Sequence, residues 1–127
     1  GIKTYEQVEH CLSKGVKGVM VGREILNRPW YWADVDRRIY KLPNPGISRR
    51  EILKRYSDYA ELELRNNAKL GHGTILKPIL NLFVGEKGAR VYRRTISEMS
   101  AKKVRPVATI LDAAIAALSD EDLDRIW

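Results

Sequence analysis

The chain has 127 residues, 44% hydrophobic and 31% charged, with a formal net charge of +7. That leaves room for one ordinary domain or for pieces of two. One cysteine, Cys11, excludes an internal disulfide, and two histidines do not make up a zinc site. No apolar run approaches the ~20 residues that span a bilayer.

Thr4-Tyr5-Glu6-Gln7 fits a capping box, with Thr4 at the N-cap and Gln7 reaching back. It predicts a helix to about Lys14, with Val8, Cys11 and Leu12 as a buried stripe at i, i+3, i+4 and Gly15 just past its end. Cys11 is read as a small core residue, not a nucleophile. Gly18-Val19-Met20-Val21 reads as a short buried strand, followed by Gly22-Arg23 and the start of a helix. Such a turn suits an anion: the glycine lets the backbone approach a phosphate, and the arginine adds a forked charge. A plain strand-to-helix turn has the same residues. One strand makes no sheet, so its partners are expected outside this chain.

A second helical stretch is predicted from about Glu24 to Tyr40, with Pro29 dividing it into a turn and a helix from Trp30 onward. Trp30-Tyr31-Trp32 is read as an aromatic anchor in preference to a base-stacking platform. Leu42-Pro43-Asn44-Pro45-Gly46 is the only strong break, and the domain boundary is placed there, dividing residues 1–42 from residues 43–127.

Everything beyond the break reads helical. Ser48-Arg49-Arg50-Glu51 opens a helix to about Lys69, with Ile52, Leu53, Tyr56, Tyr59, Ala60 and Leu64 facing in. His72, between two glycines, reads as a loop residue. Thr74 is expected to cap an apolar helix running past Pro78 to Val84, the centre of a small bundle. After a turn at Gly85–Gly88, Ala89, Tyr92, Ile96 and Met99 mark one helical face and Arg90, Arg93, Arg94 and Ser97 the other. Pro106 starts a last helix through Leu118, and Ser119 caps a short acidic tail.

The charge is uneven. Residues 65–105 hold ten Lys/Arg against two Asp/Glu, whereas residues 106–127 hold one against five. A basic block of this kind is expected of a polyanion-binding patch. Three guanidiniums on one helix face repel each other unless an anion lies across them, as a phosphate backbone would. No Ser/His/Asp set, paired carboxylates or Walker loop is present, so no catalytic residue and no metal ligand is assigned.

Several stretches match a known pattern in order: GIKT (1–4), KGVMVGR (17–23), NRPW (27–30), ADVDRRI (33–39), LGHGT (70–74) and LFVGEKGARVYRRTISE (82–98). Together they resemble the tRNA-dihydrouridine synthases, and most closely the A-type subfamily. The resemblance implies a mainly α chain: the last β/α units of an FMN-binding TIM (β/α)8 barrel, followed by a C-terminal helical bundle that binds tRNA. It implies an oxidoreductase that reduces D-loop uridine with FMN and NADPH. In such barrels the phosphate lies at the C-terminal ends of the last strands. Gly1 matches the last Gly of the family's Asn-Gly-Gly turn, and Gly22 and Arg23 match its phosphate turn. Arg90 and Arg93 match positions that hold tRNA, with Lys77 and Arg94 as neighbours.

The departures are equally specific. The family's catalytic Cys sits in an Asn-x-x-Cys-Pro setting on an earlier loop, and Cys11 is not that residue. The Lys and His that contact flavin also precede Gly1, and Asn27-Arg28-Pro29 stands where the family has Asn-Pro. Residues 1–127 are therefore expected to be inactive alone, with the rest of the barrel upstream. The parent enzyme is expected to be monomeric, without a membrane association, in the cytoplasm or an organelle matrix. Two other readings stay open: an enzyme remnant serving as a non-catalytic RNA-binding or structural subunit of a ribonucleoprotein, and an FMN barrel enzyme acting on a small molecule.

Overall fold

The computed structural model describes residues 1–127, and all of its regular structure is helical. The chain divides into two compact units, Gly1–Pro45 together with Trp127, and Gly46–Ile126.

In the first unit, α1 (Tyr5–Ser13) starts at the expected box: the Gln7 N–H donates to Thr4 Oγ1 and the Thr4 N–H to Gln7 Oε1, both at 3.2 Å. Gly15 follows the helix at φ +93°, a conformation that favours glycine. Pro29 divides the second helical stretch into α2 (Glu24–Asn27), a 3-10 turn (Tyr31–Asp34) and α3 (Val35–Arg38). The core is Tyr5, Val8 and Trp32, ringed by half-buried Ile2, Leu12, Val19, Val21, Val35 and Ile39. Tyr5 and Tyr31 lock α1 to the 3-10 turn. The Tyr5 hydroxyl donates to the Tyr31 carbonyl at 3.0 Å, and the Tyr31 hydroxyl accepts from the Tyr5 N–H at 3.1 Å. Burial, and next the Asp34 charge, push the Tyr5 hydroxyl pKa up to about 12. Trp30–Trp32 thus contributes anchors.

The buried strand does not form. Residues 18–21 form no ladder, Gly18 is exposed and Met20 is 86% exposed. Strand hydrogen bonds need a neighbouring strand, and this unit has none.

In the second unit, α4 (Arg49–Asn66) is capped by Ser48 Oγ, which accepts from the Glu51 N–H at 3.2 Å. It ends at Asn66, before the expected Lys69, because Asn67 turns the chain: its Oδ1 accepts from the Lys69 N–H at 3.1 Å. Its buried stripe is Arg49, Leu53, Ser57, Ala60 and Leu64, while Tyr59 is exposed. The expected apolar helix over 74–84 is replaced by α5 (His72–Leu76), a 3-10 turn (Lys77–Ile79) and a run of tight turns. Gly71, not Thr74, precedes α5. Pro78 has no N–H to give to Thr74, so the chain continues through i to i−3 bonds instead. His72 is buried on α5, its Nε2 3.1 Å from the Val104 carbonyl. The loop expected at that position is therefore corrected: α5 begins there.

The long α6 (Ala89–Ala101) packs on α7 (Val107–Ile115), α4 also packs on α7, and α8 (Asp120–Asp124) returns to α4. Phe83 and Tyr92, fully buried and edge to face at 5.0 Å, sit in the centre with Ile96, Val107 and Ile110.

Candidate functional site

In the first unit, Gly22 leads into α2 and Arg23 precedes it. A Cβ placed on Gly22 meets no atom within 4 Å, and Arg23 is exposed without an ion pair. Both groups are therefore open to a ligand. Arg28 connects this turn to the N-terminal segment: it pairs with Glu24, donates to the Lys3 carbonyl and lies 4.3 Å over the Tyr31 ring. Gly1 is exposed at the start of that segment. Asp34, almost fully buried, accepts from Arg37 Nε at 2.8 Å and Asn44 Nδ2 at 2.6 Å. The Arg37 guanidinium holds the Asp34 carboxyl below the usual carboxylate range against the opposing effect of burial.

The second unit presents α6. Its rotation is fixed by Tyr92, whose hydroxyl donates to the Ile79 carbonyl at 2.8 Å. With Ala89, Tyr92 and Ile96 turned inward, helical periodicity leaves Arg90, Arg94 and Ser97 exposed and Arg93 half-buried at the edge. The same Tyr92 bond ties α6 to the turn carrying Lys77, which is exposed. Lys77 and Ser97 line one cavity, so the structure brings Lys77 to the helix bearing the three arginines.

Ion pairing separates the arginines into two groups. Arg28, Arg37, Arg38, Arg49, Arg50, Arg55, Arg105 and Arg125 are each within 4.0 Å of a carboxylate. Arg23, Arg65, Arg90, Arg93 and Arg94 have no such partner. Arginines that lack an acid and face solvent are the ones available to a phosphate. Arg65, exposed near the end of α4, belongs to the basic block of residues 65–105, but only its missing acidic partner singles it out, and pairing is a property of the folded chain. The cavity beside Lys77 is equally invisible to sequence reasoning, since its walls come from separate elements. No group of three His, Cys, Asp or Glu side chains is placed to hold a metal ion, and no helix is long and apolar enough to cross a membrane.

Comparison with known proteins adds to this geometry. The model of the dihydrouridine synthase (Dus) family matches residues 1–119. The chain is 36% identical over 121 residues to a tRNA-dihydrouridine(20/20a) synthase of Vibrio vulnificus, covering 95% of this chain and 36% of that protein. It is 36% identical to the Salmonella typhi protein of the same name, covering 95% of this chain and 35% of the relative. It is also 41% identical over 98 residues to one from Synechocystis, covering 77% and 28% respectively. The chain thus spans about a third of the length of these curated relatives.

Proposed function

The chain belongs to the dihydrouridine synthase family, and on that footing we propose that it is the C-terminal part of a flavin-dependent tRNA-dihydrouridine synthase of the A-type subfamily. Residues 1–42 close an FMN-binding (β/α)8 barrel whose remainder lies upstream, and residues 43–127 hold tRNA. Residues 18–21, apolar and in no hydrogen-bonded ladder, suit a barrel strand awaiting its sheet.

The rim of the FMN phosphate site falls to Gly1, Gly22 and Arg23. The open backbone at Gly22 and the unengaged Arg23 guanidinium fit a phosphate. When bound, FMN supplies the redox chemistry of uridine reduction, with NADPH as reductant. The residues present here bind and orient, and residues 1–127 alone are inactive.

The observation that carries the RNA reading is the α6 face: Arg90, Arg93 and Arg94 share one helix, none has an acidic partner, and Lys77 lies on the turn packed against it. A tRNA backbone laid across this face replaces mutual repulsion with charge-assisted hydrogen bonds. The test is a salt titration of tRNA binding by the chain and by its Arg90→Ala/Arg93→Ala variant. The variant is expected to bind more weakly and to lose about one to two units of the slope of log K against log salt. Unchanged affinity at low salt would overturn the role of this face.

A further inference from the structure

Helix α6 ends on a residue that strains its own backbone. The Val104 N–H donates to the Met99 carbonyl at 3.2 Å and the Lys103 N–H to the Ser100 carbonyl at 3.0 Å, the paired bonds that close a helix on a left-handed residue. That residue is Lys103, at φ +53°. Glycine is preferred there because it has no Cβ to crowd the turn, so a lysine costs stability. No ion pair offsets the cost: Lys103 is exposed, with no carboxylate within 4.0 Å. A cation does offset the partial charge on the last carbonyls of a helix, but Lys102, at the C-cap with φ −84°, supplies one without a left-handed backbone.

Other elements hold this end of α6 in place and add to its charge. His72 Nε2 on α5 lies 3.1 Å from the Val104 carbonyl, and Arg105 Nε donates to Glu61 on α4 at 3.0 Å. Arg65, one turn along α4 from Glu61, is exposed and close enough to help hold the Glu61 carboxyl low. The acids of the neighbouring turns are Glu61, engaged by Arg105, half-buried Glu63 and exposed Glu98; none is within 4.0 Å of Arg65, Lys102 or Lys103. Glu98 stands one turn from both Arg94 and Lys102, so it separates this cluster from the arginine face. Arg94 and Lys102 are about 12 Å apart along the helix axis. One phosphate group cannot serve both clusters, whereas a chain of phosphates can. We propose that Arg65, Lys102 and Lys103 form a second phosphate contact for the RNA held on α6, gripping a backbone segment separate from the one across Arg90, Arg93 and Arg94. The inference rests on the RNA-binding reading of α6 and gives that RNA a two-point footing on one rigid helix.

The test is a salt titration of tRNA binding, read by fluorescence anisotropy, on the 127-residue chain and its variants. Lys103→Gly relieves the left-handed backbone and is expected to melt higher while binding tRNA more weakly, a combination that a purely structural lysine would not give. Lys102→Ala/Lys103→Gly is expected to bind about fivefold or more weakly at ~0.1 M salt and to lose about one to two units of the slope of log K against log salt. Glu98→Gln removes the acid between the two clusters and is expected to tighten binding about twofold or more. Unchanged affinity and slope in Lys102→Ala/Lys103→Gly, with Arg90→Ala/Arg93→Ala still weakened, overturns the second contact and leaves the arginine face standing. Tighter binding of polyglutamate than of tRNA by the unmodified chain overturns RNA as the occupant in favour of an acidic protein. Absence of salt-sensitive tRNA binding overturns the RNA reading and the second contact with it.

Discussion

Arg49 is 1% exposed, and its guanidinium lies 4.6 Å over the Phe83 ring. One Nη donates to the Leu82 carbonyl at 3.2 Å and the other to the Asp122 carbonyl at 2.9 Å, with Glu86 at 3.8 Å. Replacing it with Met keeps bulk but strands two buried carbonyls. Arg49→Met is expected to cost about 3 kcal/mol in urea unfolding; a cost under about 1 kcal/mol would contradict the bridge. From sequence Arg49 reads as a wet residue in the first turn of a helix. Its spacing to Leu53, Ser57, Ala60 and Leu64 puts it on the buried stripe, but charge obscures that spacing. Two glycines differ as sharply. Gly88 sits at φ +91°, where a Cβ would stand 2.2 Å from the Ala117 carbonyl oxygen, while a Cβ on Gly73, inside α5, meets nothing within 4 Å. Gly88→Ala is expected to destabilise by about 2 kcal/mol or more, and Gly73→Ala to stabilise by roughly 0.5–1 kcal/mol. Matched denaturation curves check both signs.

Among the elements, α4 and α7 are joined by Glu61. Its carboxylate accepts from Arg105 Nε at 3.0 Å and from the Val107 N–H, the first of α7, at 2.9 Å. Arg105, and next the Val107 N–H, hold Glu61 below the usual carboxylate range. The stabilisation is therefore complete above the ordinary value of 4.5 and is lost as pH falls through the lower folded value. Glu61→Gln is expected to unfold more easily at pH 7 and to lose less stability than the parent on acidification below about pH 4.5, as melting curves across that range would register. Equal acid sensitivity would remove Glu61 from the linkage. The helices with clean signals were legible, because caps such as Thr4 and Ser48 bond as their spacing implies. The stretch 74–84 was not: its run of apolar residues suits a helix, and the backbone hydrogen bond denied by Pro78 outweighs that pattern. The arginine face of α6 was legible for the opposite reason, since periodicity alone decides which side of a long helix is wet.

At the scale of the molecule, the first unit leaves its apolar side open. A cavity of about 470 Å³ there is lined by Val8, Leu12, Val19, Val21, Trp32 and Ile39, and the buried Trp32 indole N–H has no partner in the protein. Residues 18–21 make no backbone hydrogen bonds, so their amides are expected to exchange at close to the free-chain rate, while those of Tyr92 and Ile96 are protected. Protection of residues 18–21 in this chain would show that the segment is already paired. The sequence pattern of this segment reads as a strand, and residues 1–127 hold no second strand for it to pair with. The second unit is different in that its two ends are tied together. Arg50 reaches Asp124 at 2.7 Å and Asp120 at 2.7 Å, and Arg49 reaches the Asp122 carbonyl, bridging the first helix of the unit and its last. Gly46 and Ile126 therefore leave the unit from neighbouring points, which is the geometry that lets a fold be spliced into a host loop or have its ends joined and reopened elsewhere. The exposed turn at Ala68-Lys69 is the natural place to reopen it, and the helical unit thereby becomes a cassette that can be moved between scaffolds with its α6 face intact.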